Sequence, residues 1–189
     1  LTTTDKREIS NYLYGYVATL LIDADKNKQE ITVWIELWEQ YLNDIEKATG
    51  KNAYVYAYRS AINVYKSKVK AGGMMVWGPR SLTELKRALS TDPNNPLAHG
   101  LKGNMLFYMP SFVGGDKVEA IKWFEKALAG ISASTDKTFR WNRCAITLCL
   151  AQAYEKTGNI EKAIEIAEAE LQREPNFAYM RDTYLPSLK

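Results

Sequence analysis

Apolar residues recur along this chain at helical spacing. From Ile9, the positions Tyr12, Leu13, Tyr16, Val17, Leu20 and Leu21 make one continuous face, and the polar run 23–29 ends it. A second stripe carries Ile31, Trp34, Ile35, Trp38, Tyr41, Leu42 and Ile45 and stops near Gly50. A third carries Tyr54, Tyr58, Ala61, Ile62, Tyr65 and Val69 and runs into Gly72-Gly73. Beyond that glycine pair the segments shorten. Helices are predicted over 81–89, 97–108, 116–128, 141–156, 160–173 and 177–184, separated by Asp92-Pro93-Asn94-Asn95-Pro96, Pro110, Gly158 and Pro175. Asp116 with Glu119 has the spacing of a capping box, and Gly158 that of a left-handed helix stop. No segment sustains period-two alternation. The pattern predicts an all-α chain of about nine helices in one domain, an aromatic N-terminal region (1–70) followed by hairpins (77–189).

Internal similarity sharpens this fold. Leu85 to Leu89 with Asp92-Pro93-Asn94, Trp123 to Leu128, and Ala163 to Leu171 with Glu174-Pro175-Asn176 resemble the second helix of tetratricopeptide (TPR) repeats. The last unit matches best, through Leu150, Ala151, Tyr154, Gly158, Ile160, Ala163, Ala167, Leu171 and Pro175. It departs where Glu170 replaces the usual second small residue. The middle unit contributes Gly103, Ala120, Phe124, Ala127 and Leu128, with extra residues in the 109–116 connection. The resemblance implies a right-handed superhelix (solenoid) of antiparallel helical hairpins. Trp77-Gly78-Pro79, Phe112 to Asp116 and Pro175 to Pro186 are also similar to a group of exported bacterial TPR proteins, which implies a periplasmic or external location. The chain opens on Leu1 rather than Met, and a processed precursor is expected.

Composition excludes several classes. With 46% hydrophobic and 25% charged residues the chain can fold, and no apolar run is long enough to span a membrane. A net charge of +3 is too slight to indicate nucleic acid. Charge is nevertheless uneven: −4 over 1–50, +7 over 51–91, +2 over 92–150 and −2 over 151–189. The basic segment (Lys51, Arg59, Lys66, Lys68, Lys70, Arg80, Lys86, Arg87) reads as a solvated face, or as a site for an acidic partner with 68–80 as a flap. Cys144 and Cys149 share one helix and point about 140° apart, so they cannot pair there.

Catalytic chemistry finds little footing. Asp23-Ala24-Asp25 begins like a calcium loop, but Lys28 and Trp34 stand where the turn glycine and the bidentate acid belong. It is read as a polar turn. His99, the sole histidine, has no evident nucleophile or orienting acid and is expected at a surface or groove. No catalytic residue, metal or cofactor is therefore assigned. Tyr54, Tyr56 and Tyr58 spread around one helix, so some of them, Tyr58 foremost, are expected to face a groove or partner.

The TPR resemblance implies that the first helix of each pair lines a concave peptide-binding surface. Register then places Asn104, Phe107, Tyr108, Gln152, Glu155 and Lys156 in the groove, with the amides of Asn104 and Gln152 as the main contacts. The family's carboxylate clamp wants a lysine where Gly100 stands, so Arg140 and Arg143 are the candidate anion contacts. The function expected is non-catalytic recognition of a peptide or protein, an acidic one among the candidates. The alternative is a solute-binding subunit of a bacterial envelope transporter.

Overall fold

A computed structural model describes residues 1–134 and 139–189, Trp141 by its backbone alone. Among them run nine α-helices: α1 (Thr3–Leu20), α2 (Lys28–Thr49), α3 (Ala53–Val69), α4 (Gly73–Thr91), α5 (Pro96–Tyr108), α6 (Lys117–Ala133), α7 (Arg140–Lys156), α8 (Ile160–Arg173) and α9 (Leu185–Ser187). Short 3-10 turns follow α1 and α5, and a π-helical turn (Met180–Tyr184) leads into α9. The described residues contain no strand. Packing divides the chain into two compact units, Leu1–Leu101 and Lys102–Lys189, with the division inside α5 rather than at the glycine pair.

In the first unit α3 is the central helix, packed against α1, α2 and α4. Neighbours on both sides bury Tyr54, Tyr56 and Tyr58 together, whereas the sequence pattern left some of them for a groove. Trp38 is fully buried in this unit, as are Leu13, Val17, Ile31, Ile35, Leu42 and Ile62. Trp38 and Tyr58 meet edge-on at 5.1 Å between ring centroids. The tyrosine hydroxyls stay satisfied inside. Tyr54 Oη donates to Arg7 O at 2.8 Å, Tyr65 Oη to Tyr14 O at 3.0 Å, and Tyr58 Oη to Asn11 Oδ1. Ser60 and Ser81 join α3 to α4 through their hydroxyls at 3.0 Å. The turn after α1 is the polar turn expected, and Asn27 closes it by donating to Leu20 O at 2.9 Å.

α4 corrects the sequence reading. It begins at Gly73, so 68–80 is no flap: α3 continues to Val69 and the Gly72-Gly73 turn leads straight into α4. Gly72 (φ +88°) is required there, because a Cβ would lie 2.3 Å from Val76 Cγ2. Pro79 sits inside the helix and has no N–H for the carbonyl of Met75, a residue 91% exposed.

The second unit is built on small-residue seams. Ala120 and Ala127 of α6, Ala151 and Ala153 of α7, and Ala163 and Ala167 of α8 are all fully buried. They let backbones approach, and Phe124 and Met180 fill the space between. Gly103 has the same role: a Cβ there would lie 2.5 Å from the Phe124 ring. Gly158 (φ +89°) ends α7, with Asn159 N–H returning to Tyr154 O at 2.9 Å. Asp116 caps α6 by accepting from Val118 and Glu119 N–H, both at 2.9 Å. The Glu119 carboxylate pairs with Lys122 at 2.9 Å, so the cap is this single acceptor rather than the expected reciprocal box.

Candidate functional site

The face shared by α5 and α7 gathers several of the residues that register assigned to a groove. Tyr108, at the end of α5, is 66% exposed and its hydroxyl meets Cys149 Sγ of α7 at 3.7 Å. Asn104 lies one turn before Tyr108, and Gln152 nearly one turn after Cys149, so register puts the two amides on the same strip. Both are half-buried, and the Asn104 Oδ1 lies beneath the surface. Phe107 divides its contacts: its ring stands 4.8 Å from Tyr108 and 6.4 Å from the buried Phe124. It anchors Tyr108 to the core more than it faces solvent.

The cysteine thiols on this helix are unreactive. Burial pushes the Cys149 thiol up to about 11, against a small opposing hydrogen bond from Tyr108. Burial and then the Glu170 carboxylate push Cys144 up to about 12. Neither is a thiolate nucleophile near neutrality. Tyr154, also raised to about 12 by burial and by its bond to Glu125 (2.7 Å), ties α7 to α6.

Arg140 and Arg143 are not available as anion contacts. Arg140 makes a bidentate pair with Glu174, its Nε to Oε1 at 2.8 Å. Arg143 reaches Glu174 at 2.8 Å and Glu170 at 3.4 Å. Glu170 is 1% exposed, and Arg143 answers the charge it would otherwise leave buried. The Arg140 guanidinium holds the Glu174 carboxyl below its usual range, with help from Arg143. A signal for this was present: the glutamate at 170, in place of a small residue, required a cation from the neighbouring helix.

Tyr58 and His99 are also placed differently from expectation. Tyr58 is fully buried in the first unit and lines no surface. His99 is 7% exposed and its Nε2 lies 2.7 Å from Pro93 O, so it closes the 92–96 turn from inside. The basic segment is largely answered within its own unit. Lys66 pairs with Glu39 (2.6 Å), Lys70 with Glu36 (3.3 Å) and Arg59 with Glu46 (2.9 Å), all on α2. Lys66 and Arg80 also stand over the Trp77 ring, at 5.0 and 4.7 Å. Opposite charge on consecutive segments is thus complementary helix packing. Among the described residues, no group of three or more His, Cys, Asp or Glu could hold a metal ion, and no helix is long and apolar enough to cross a membrane.

This helical fold has counterparts in solved structures. A thermophilic TPR protein of Thermus thermophilus is similar over 99% of this chain and 98% of its own, with TM-score 0.59 and 17% identity. The fold is the tetratricopeptide fold. The HusA haemophore from Porphyromonas gingivalis is similar over 83% of this chain and 87% of its own (TM-score 0.62, 22% identity). PilW, a widely conserved type IV pilus biogenesis factor, matches 91% of this chain and 65% of its own (TM-score 0.53, 19% identity). No family profile and no curated protein matches the sequence.

Proposed function

We propose that the chain is a non-catalytic recognition module that holds a peptide or protein surface against the α5–α7 face. Tyr108 carries this reading: a large aromatic, 66% exposed, is fixed by Phe107 and Cys149 beside two amides. An aromatic held in this way offers contact area with little rotamer entropy to lose, and of the two amides Gln152 can both donate to and accept from a peptide backbone, while the buried Asn104 Oδ1 leaves that residue as a donor. The tetratricopeptide fold supports the reading. The test is peptide selection from a random display library on the chain, followed by affinity measurements on variants. Asn104→Ala with Gln152→Ala, and separately Tyr108→Ala, should each weaken selected peptides at least tenfold, with stability changed by about 1 kcal/mol or less. Unchanged affinity in all these variants would remove this face from the reading.

A second reading is carriage of a small molecule, as for a solute-binding subunit of an envelope transporter. The similarity to a haemophore over 83% of the chain favours it. Titration with hemin separates the two. A flat absorbance response supports the peptide module, and a saturating one-to-one change in the haem band supports the carrier.

A further inference from the structure

We propose a second recognition site, independent of the α5–α7 face: a basic trough on the first unit that binds an extended acidic peptide segment. Two hollows lie side by side along α3, of about 650 and 350 Å³, and they share Lys51 and Thr91 as common wall. The larger is lined by four cations, Lys51, Arg59, Lys86 and Arg87, against one carboxylate, Glu46. Arg59 already holds Glu46 at 2.9 Å, and Arg87 meets Glu84 at 2.9 Å. Lys51 and Lys86 make no ion pair among the described residues, in contrast to Lys66 and Lys70 of the same basic segment. Four of the segment's eight cations therefore line this trough, and two of them, Lys51 and Lys86, bring charge that no carboxylate among the described residues answers.

The smaller hollow continues the same character. It is lined by two cations, Lys51 and Arg7, the latter stacked at 4.7 Å on the Tyr54 ring, against one carboxylate, Asp92, which also accepts from Asn94 N–H at 3.0 Å. The floor is apolar: Tyr56 in one hollow, Ile45 and Tyr54 in the other. From Asn52 to Arg59 the trough follows about 10 Å of helix. An extended strand at about 3.3 Å per residue covers that length with three or four residues. An elongated groove with cationic walls and an aromatic floor fits a segment alternating acidic and apolar side chains. A compact anion would occupy only one end.

The test is fluorescence anisotropy on the full chain with a fluorescein-labelled hexapeptide alternating Glu and Leu. A Gln/Leu hexapeptide and a labelled oligouridylate of six nucleotides serve as comparisons. The Glu/Leu peptide should bind at least tenfold tighter than the Gln/Leu peptide and lose affinity between 50 and 300 mM salt. Lys51→Glu with Lys86→Glu should weaken it at least tenfold. Both side chains are exposed, so the helical circular dichroism and Tm should stay at the wild-type values, and Lys51→Arg with Lys86→Arg should keep binding. Equal binding of the Glu and Gln peptides, an unchanged double charge reversal, or tighter binding of the oligouridylate at the same lysines would each overturn the proposal.

Discussion

The two units bury comparable large side chains by opposite means. In Leu1–Leu101 the interior is aromatic and partly polar: Trp38 and Tyr58 sit beside Asn11, Ser10 and Ser60, and tyrosine hydroxyls are answered by backbone and amide oxygens. In Lys102–Lys189 the interior is built on alanine seams with Phe124 and Met180 among them, and its buried polar side chains among the described residues, Asn142, Thr147 and Glu170, are fewer. The first arrangement is held by directed hydrogen bonds that tolerate irregular spacing. The second is held by close approach, which demands small residues at fixed intervals. Regular spacing is what a repeat pattern records, and the TPR-like signature is accordingly strongest in the second unit.

The largest expected effects treat both units alike. Trp38→Ala and Phe124→Ala each remove a fully buried ring and should cost about 3–5 kcal/mol, read by urea unfolding followed by far-UV circular dichroism. A much smaller cost for either would show that its core collapses around the gap. Glycine substitution should then separate the units by sign. Gly103→Ala sets a methyl against the Phe124 ring and should destabilise by about 1–3 kcal/mol. Gly15→Ala in α1 meets nothing within 4 Å and should stabilise by up to about 1 kcal/mol through helix propensity. Like signs for the two would contradict the close-approach account. Tyr58→Phe probes the polar interior. It removes the hydroxyl that donates to buried Asn11 Oδ1, where the Tyr54 hydroxyl at 3.3 Å shares its one proton with Arg7 O, and should cost about 1 kcal/mol.

The same contrast explains what could be read from one dimension. α8 was legible to the residue, because Gly158, Asn159 and Pro175 punctuate it and Ala163 and Ala167 mark its inner face. The strip of Asn104, Tyr108 and Gln152 follows from helical register alone. α4 was not legible, since a glycine pair and Pro79 signal a loop locally, while the Gly72 turn and the packing of α3 on α4 carry the helix through. Tyr54, Tyr56 and Tyr58 were misjudged for a related reason: a one-sided helical pattern cannot show that partners cover both sides. Arg140 and Arg143 found their carboxylates about thirty residues away, a pairing that only the anomalous Glu170 hinted at.

The smallest expected effect concerns that pairing and is a matter of pH. Arg140, foremost, holds the folded-state pKa of Glu174 below the value of about 4.3 expected for an unfolded chain. A depressed carboxyl pKa means that the folded state binds fewer protons, so its contribution is complete above about pH 4.5 and is lost as pH falls through the folded value. In the first unit Asp44 is lowered in the same direction by Lys6, at 2.7 Å, but in a more exposed pair. Comparing Tm of the wild type with Glu174→Gln and with Asp44→Asn from pH 7 to pH 3 isolates each pair. The wild-type advantage over Glu174→Gln should shrink below about pH 4.5, and the advantage over Asp44→Asn should be smaller throughout, because solvent screens it. If the Glu174→Gln difference is flat across that range, the arginine clasp joins α7 to α8 without stabilising them. The alanine seam of Ala151 and Ala167 would then be sufficient to hold that hairpin.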